Sequence, residues 1–185
     1  MNTQKAWWFA RTQLTRHRYG HVGGHSYIGK ELFIQRRKAL FVGNNVRIYP
    51  GLRLEVPTDS ASVKIEDNVS IGQNFHVVSY ASQLVIGSGT TISGNVFISN
   101  VNHGYQEIGV DALHQELIEK ETVIGQDCFI GYGAVILPGT HLGKQCIVGA
   151  NAVVSGDFPD YSVIAGVPAK VIKHYDAESK QWVRG

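Results

Sequence analysis

From Ile124 onward an aliphatic residue returns at every sixth position: Ile124, Ile130, Ile136, Leu142, Val148 and Val154. Glycine follows four of them, at Gly125, Gly131, Gly143 and Gly149. Four places after the first five stands a small residue: Cys128, Ala134, Thr140, Cys146 and Ala152. A helix repeats near 3.6 residues and a half-buried strand at 2, so neither explains this period. A short strand followed by a turn does. Three such units close a triangular coil of about eighteen residues, and stacked coils set like residues over like in inward columns. Ile86, Ile92 and Ile98 keep the same phase, as do Ile65, Ile71 and Val77; Ile28 with Ile34, and Val42 with Ile48, suggest an earlier, irregular coil. The step of nine from Val77 to Ile86 predicts a three-residue bulge. The step of twenty-six from Ile98 to Ile124 predicts a loop of about twenty residues, over 101–122. The chain thus divides into a basic, aromatic cap at 1–27, a solenoid at 28–173 and a tail at 174–185.

The solenoid closes on Ile164-Ala165-Gly166-Val167-Pro168-Ala169-Lys170-Val171-Ile172-Lys173. At the repeats and at this string the chain resembles the hexapeptide-repeat transferases, over residues 60–173 and most strongly over 120–173. The resemblance implies an all-β fold, a left-handed parallel β-helix with a short N-terminal helix, an extruded loop and a C-terminal cap. Handedness rests on the resemblance alone, since parallel crossovers are normally right-handed.

Val101-Asn102-His103-Gly104 stands where the repeat breaks into the loop. An imidazole titrates near neutrality and can take the proton of an attacking hydroxyl; a coil edge would hold it and a loop would exclude water. Read from the residues alone, a loop histidine is a surface side chain. Sugar acetyltransferases of the family carry their catalytic histidine at this junction, which makes His103 the expected general base and Asn102 an acceptor contact. Asn74 and His76 lie upstream, about a coil and a half away; they either orient the acceptor, also across a subunit boundary, or face solvent.

The resemblance also implies acetyl-coenzyme A as acyl donor, its pantetheine arm in a groove between subunits. The matching positions are Gly131, Tyr132, Gly133 and Ala134 on one coil, then Ala150 and Ser155. Small residues let a ligand approach the backbone, and a coil needs them to turn as well. Phe129 can pack against the acyl end or in the core or interface. Lys170 and Lys173 can reach the phosphates of coenzyme A, while the same string can cap the open end of the solenoid.

Cys128 and Cys146, eighteen residues apart, fall in one inward column and read as core rather than nucleophile. His17, His21 and His25 are spaced four apart, but Gly20, Gly23 and Gly24 interrupt any helix that would align them on a metal. A metal-dependent carbonic anhydrase on this fold needs a histidine close after His103; the next is His114. No metal is expected.

Residues 1–38 hold eight Lys or Arg against one acid, +7, while the remainder carries −5. The stretch from Lys5 to Arg18 reads as a helix whose aromatics and arginines suit either a membrane interface or a cap on the first coil. No reading helix or stacking platform accompanies the charge, so nucleic acid is not an expected partner. No apolar stretch is long enough to span a bilayer, no signal peptide is expected at the start, and two cysteines point to the cytoplasm. The expectation is a homotrimer moving acetyl to a saccharide hydroxyl in surface-polysaccharide synthesis. N-acylation of a nucleotide-linked amino sugar and a catalytically silent scaffold remain the alternatives.

Overall fold

The computed structural model describes residues 3–184; residues 1, 2 and 185 of the expected cap and tail lie outside it. Three parallel sheets form the faces of a triangular solenoid. On the first face Val22, Val42, Ile65, Ile86, Ile124, Leu142 and Phe158 stack in register. The second face stacks Ile28, Ile48, Ile71, Ile92, Ile130, Val148 and Ile164. The third stacks Ile34, Leu54, Val77, Ile98, Ile136 and Val154. All of these except Phe158 are buried in one continuous core. The six strands of the third sheet mark six complete coils.

The solenoid therefore opens at Val22, six residues before the start expected from the sequence, and its second coil is completed by Leu54. The early coils escaped notice because steps of eight (Ile34 to Val42) and eleven (Leu54 to Ile65) break their phase. Every irregular step falls on the edge from the third face to the first. It lies there from Val77 to Ile86, nine, and from Ile98 to Ile124, twenty-six; Val154 to Phe158 shortens it to four. Both other edges keep six throughout. The first-to-second edge turns on a left-handed residue in each coil: His25, Asn45, Asn68, Gly89, Asp127, Gln145 and Tyr161. Glycine, Asn and Asp tolerate that conformation best, which accounts for their frequency at this position.

Small side chains four places on do more than fill space. Ser26 Oγ donates to the Gly43 carbonyl at 2.6 Å and Thr90 Oγ1 to that of Gly125 at 2.9 Å. Cys128 Sγ does the same toward Gly143 at 3.2 Å. Each thus serves a corner carbonyl that the parallel ladder leaves over.

The N-terminal helix α1 (Thr3–Thr15) lies along the first strand of the second face. Trp8 is buried against Tyr27 and Tyr49, with ring centroids 6.0 Å from each. The Ile28 amide donates to Thr12 Oγ1 at 2.9 Å, and Arg11 Nη2 donates to the carbonyls of Ile28 and Gly29 at 2.8 and 2.7 Å. The exposed strand edge is thereby covered, as an unpaired edge must be. At the other end Ala169–Asp176 and Gln181–Arg184 add two antiparallel strands to the second sheet, so residues 174–184 continue the sheet.

Candidate active site

The loop that leaves the third-to-first edge is a hairpin. Its outgoing strand, Val101–His103, pairs antiparallel with the returning strand, Leu117–Glu119. Asn100, fully buried at its base, ties it to the coil below. Its Oδ1 accepts the Tyr80 amide at 2.8 Å, and its Nδ2 donates to the Tyr80 carbonyl at 3.2 Å and to Glu119 Oε1 at 3.2 Å. Ser82 donates to the same Glu119 oxygen. The Lys120 amide returns to the Asn100 carbonyl at 2.8 Å. The hairpin is thus fastened by residues that no periodicity reveals; a buried Asn ahead of Val101-Asn102-His103 was the only available signal.

His103 Nδ1 lies 3.1 Å from the Ala112 carbonyl oxygen. A carbonyl can only accept, so this bond places a hydrogen on Nδ1, and in the neutral ring the lone pair then lies on Nε2. Ala112 belongs to a 3-10 turn, Ala112–His114, capped by the Asp111 side chain accepting from the Leu113 amide at 3.1 Å. Gln115 ties the loop across itself, donating to Val110 O at 2.7 Å and accepting from the Glu107 amide at 3.1 Å. A Cβ on Gly104 would stand 2.9 Å from Glu116 O, so the strand after His103 approaches its partner only as glycine. The imidazole itself is exposed.

The expected acceptor residues are scattered. Strand alternation sends Asn102 to the opposite side of the hairpin from His103. Asn74 turns the second-to-third edge, at φ 57°, and donates to Asn95 Oδ1 at 3.0 Å. Asn95 in turn bonds the Tyr132 hydroxyl. The width of the third face separates this ladder from the edge that bears His103, so the structure does not bring Asn74 to it. His76 stands on the third face, its Nε2 3.0 Å from Glu55 Oε1 and its ring 4.9 Å from that of Phe97. It pairs with Phe97 of the next coil, one coil below the hairpin strand and closer than the coil and a half read from spacing. Burial holds the His76 imidazole below its ordinary range, against the Glu55 carboxylate, which favours the cation.

The cofactor candidates divide. Ala134 is fully buried, and its methyl faces the core. Gly131 is demanded by stacking, since a Cβ there would lie 2.6 Å from the Ala150 backbone nitrogen; Gly133, at φ +70°, meets only the end of the Asn151 side chain. Ala150 and Ser155 are exposed, and so are Phe129 and Tyr132. Outside the second face Gly149, Ala165 and Lys170 follow one another from coil to coil, while Gly131 before them is buried under the next coil. Two strand spacings make this a smooth track of about 10 Å that ends at a lysine.

Lys170 and Lys173, three apart on one strand, would ordinarily point to opposite sides. A register shift at Val163/Ile164 sets Lys170 opposite Ala165 and Lys173 opposite Val163. Ala165 and Val163 share a side of their strand, so the bulge brings both exposed lysines to one face.

Cys128 and Cys146 are buried and free; contact with Cys146, together with burial, pushes the Cys128 thiol up. His17, His21 and His25 occupy a 3-10 turn, a strand and a corner, and no group of three potential metal ligands converges among the described residues.

Residues 121–156 match the family described as bacterial transferase hexapeptide (six repeats). WbbJ of Escherichia coli (strain K12), named as an O-acetyl transferase of lipopolysaccharide biosynthesis, is 36% identical over 157 residues. That alignment covers 81% of this chain and 79% of WbbJ. The galactoside O-acetyltransferase of the same organism is 25% identical over 172 residues, 93% of this chain and 72% of the relative. Among solved structures, a variant of the N-acyltransferase AntD from Bacillus cereus, in complex with dTDP-4-amino-4,6-dideoxyglucose and coenzyme A, superposes with a TM-score of 0.73. It shares 18% identity, with 91% of this chain and 90% of that one covered.

Proposed function

The chain belongs to the hexapeptide-repeat transferases, and from that premise we propose that it is an acetyl-CoA-dependent O-acetyltransferase acting on a saccharide hydroxyl. The observation that carries the reading is His103: its Nδ1 is engaged by the Ala112 carbonyl and its Nε2 is left to act as a base. The O-acetyl transferases among the relatives support the acceptor class. The smooth track of Gly149 and Ala165 suits a thin, flexible arm, and Lys170 with Lys173 suits the phosphates at its end.

In the mechanism, acetyl-CoA supplies the thioester. His103 Nε2 takes the acceptor hydroxyl proton as that oxygen bonds the acetyl carbon. The Nδ1–H···O=C bond to Ala112 strengthens as the ring becomes cationic, which favours the transfer. The imidazolium then returns the proton to the departing sulfur as the C–S bond breaks, leaving an ester and a free thiol. Setting both substrates against a rigid coil edge contributes much of the acceleration. The proposal extends to a homotrimer with sites between prisms, working in the cytoplasm; sedimentation of a fully active monomer would refute the trimer.

His103→Ala is expected to lower kcat by 10² to 10⁴, on the order set for general bases, with acetyl-CoA binding by calorimetry retained. Full activity in that variant would overturn the assignment. A screen of sugars, nucleotide-sugars and lipid-linked oligosaccharides, read by mass gain, identifies the acceptor. The fold shared with AntD favours one rival, N-acylation of an amino sugar. Mild alkali separates them: an O-acetyl product loses its acetyl group and an amide keeps it.

A further inference from the structure

Helix α1 has two sides, and only one is used by the solenoid. Trp8, Arg11 and Thr12 fasten it to the first coil. On the outer side Trp7 is 61% exposed and Leu14 78%. Seven residues apart on a helix, they share one face, with exposed Ala10 between them. The Arg11 guanidinium sits over the indole, 5.6 Å from its ring centroid. Trp7 also lines an open cleft with Lys30 and Pro50, and two residues beyond Lys30 stands Leu32, 70% exposed.

Lys30 lines the cleft beside Trp7, and further cations follow Leu14 in the chain. Arg16 and Arg18 lie in the turn that follows α1, and Lys38 joins it by donating to the His17 carbonyl at 2.8 Å. Arg16, Arg18, Lys30 and Lys38 are all exposed, and none has a carboxylate within salt-bridge distance among the described residues. The one acid of the first 38 residues, Glu31, is engaged by Tyr19 and Arg11. These four cations are therefore not neutralised by a neighbouring carboxylate, whereas Arg11 and Arg36 are paired with Glu31 and Asp59.

We propose that the outer side of α1 and the adjoining basic turns dock on an anionic lipid surface, with Trp7 and Leu14 entering the headgroup region and Arg16, Arg18, Lys30 and Lys38 meeting the phosphates. A helix with apolar groups on one side and flanking cations binds in this manner, through buried area and electrostatic attraction together. No helix of the described residues is long and apolar enough to cross a membrane, so the contact is peripheral. It would hold the solenoid by its first coil, with the hairpin and Lys170 on later coils.

The test is co-sedimentation of the full chain with equimolar phosphatidylglycerol–phosphatidylcholine vesicles and with pure phosphatidylcholine. Binding is expected to the first and weakly to the second, and to fall as salt is raised from about 0.05 to 0.5 M. Trp7→Ala with Leu14→Ala lowers the partition coefficient by about tenfold or more, and Arg16→Ala with Arg18→Ala by on the order of tenfold. In both variants the thermal midpoint and the oligomeric mass stay as in the wild type. Failure of the wild type to bind anionic vesicles, or unchanged partition in both variants, overturns the proposal. So does a change in oligomeric mass on removing Trp7 and Leu14, which would make this face a contact between copies of the chain.

Discussion

Two edges of the prism obey the six-residue rule in every coil, while the third takes steps of four, six, eight, nine, eleven and twenty-six. The difference shows where this fold stores its chemistry. On a regular edge each corner is stacked between corners of the same backbone shape: the Asp127 amide donates to Ser88 O at 2.8 Å, and the Gly133 amide to Gly94 O at 3.1 Å. A corner changed in one coil is out of step with the coils above and below. On the third-to-first edge the chain leaves the stack and returns, and a hairpin can grow there without disturbing the columns. His103 and the groups that hold it all belong to that one edge.

The sharpest way to break this comparison is an insertion. One glycine placed between Gly87 and Ser88, on a regular edge, is expected to cost more than about 3 kcal/mol or to abolish folding, because it puts the next strand out of register. The same insertion between Asp59 and Ser60, on the irregular edge, should cost less than about 1 kcal/mol. Urea melts of the two proteins decide it, and equal losses would end the distinction. Next in size is the footing of the hairpin. Asn100→Ala strands the Tyr80 amide in the interior, for a loss of about 1–3 kcal/mol. It should also lower kcat while leaving acetyl-CoA affinity by calorimetry unchanged; unchanged kcat would show that His103 is positioned without it.

A glycine pair refines the contrast. Gly51, at φ +96° on a regular edge, would set a Cβ 2.9 Å from the Asn74 backbone nitrogen, so Gly51→Ala should cost about 2 kcal/mol or more. Gly109, at φ +87° in the extruded loop, has nothing within 4 Å, and Gly109→Ala should cost only about 1 kcal/mol of backbone preference. Equal costs in thermal melts would remove stacking from the explanation. The smallest effect is a pH dependence. Burial lowers the His76 pKa in the folded chain, so below the ordinary 6.5 the unfolded chain binds the proton more readily. Stability should therefore rise with pH between the depressed folded value and 6.5, then level off. Melts of the wild type and His76→Gln across this range test it; identical slopes would remove His76 as the cause.

Much of this was legible without coordinates. The columns Ile124 to Val154, Ile86 to Ile98 and Ile65 to Val77 declared themselves, together with the bulge after Val77 and the loop after Ile98. The first two coils were only half legible, because Ile34 to Val42 and Leu54 to Ile65 break the count. Asn74, three places after an aliphatic, turns a left-handed corner, a structural requirement that its spacing alone already carried. The methyl of Ala134 points inward, as a small residue four places after an aliphatic does in every regular coil.

The sequence by itself determined the three columns, since each strand and turn is specified by the six residues that form it and repetition does the rest. Only the tertiary structure decided that the irregular steps share one edge, that Asn100, Ser82 and Glu119 secure the hairpin, and that Ala112 sets the tautomer of His103. It also decided that a bulge turns Lys170 and Lys173 to one side. Most of these pairings join residues up to 37 apart in the chain, the span from Ser82 to Glu119, through single hydrogen bonds that carry no period. A repeat announces itself in composition and spacing; an isolated contact exists only once the coils are stacked.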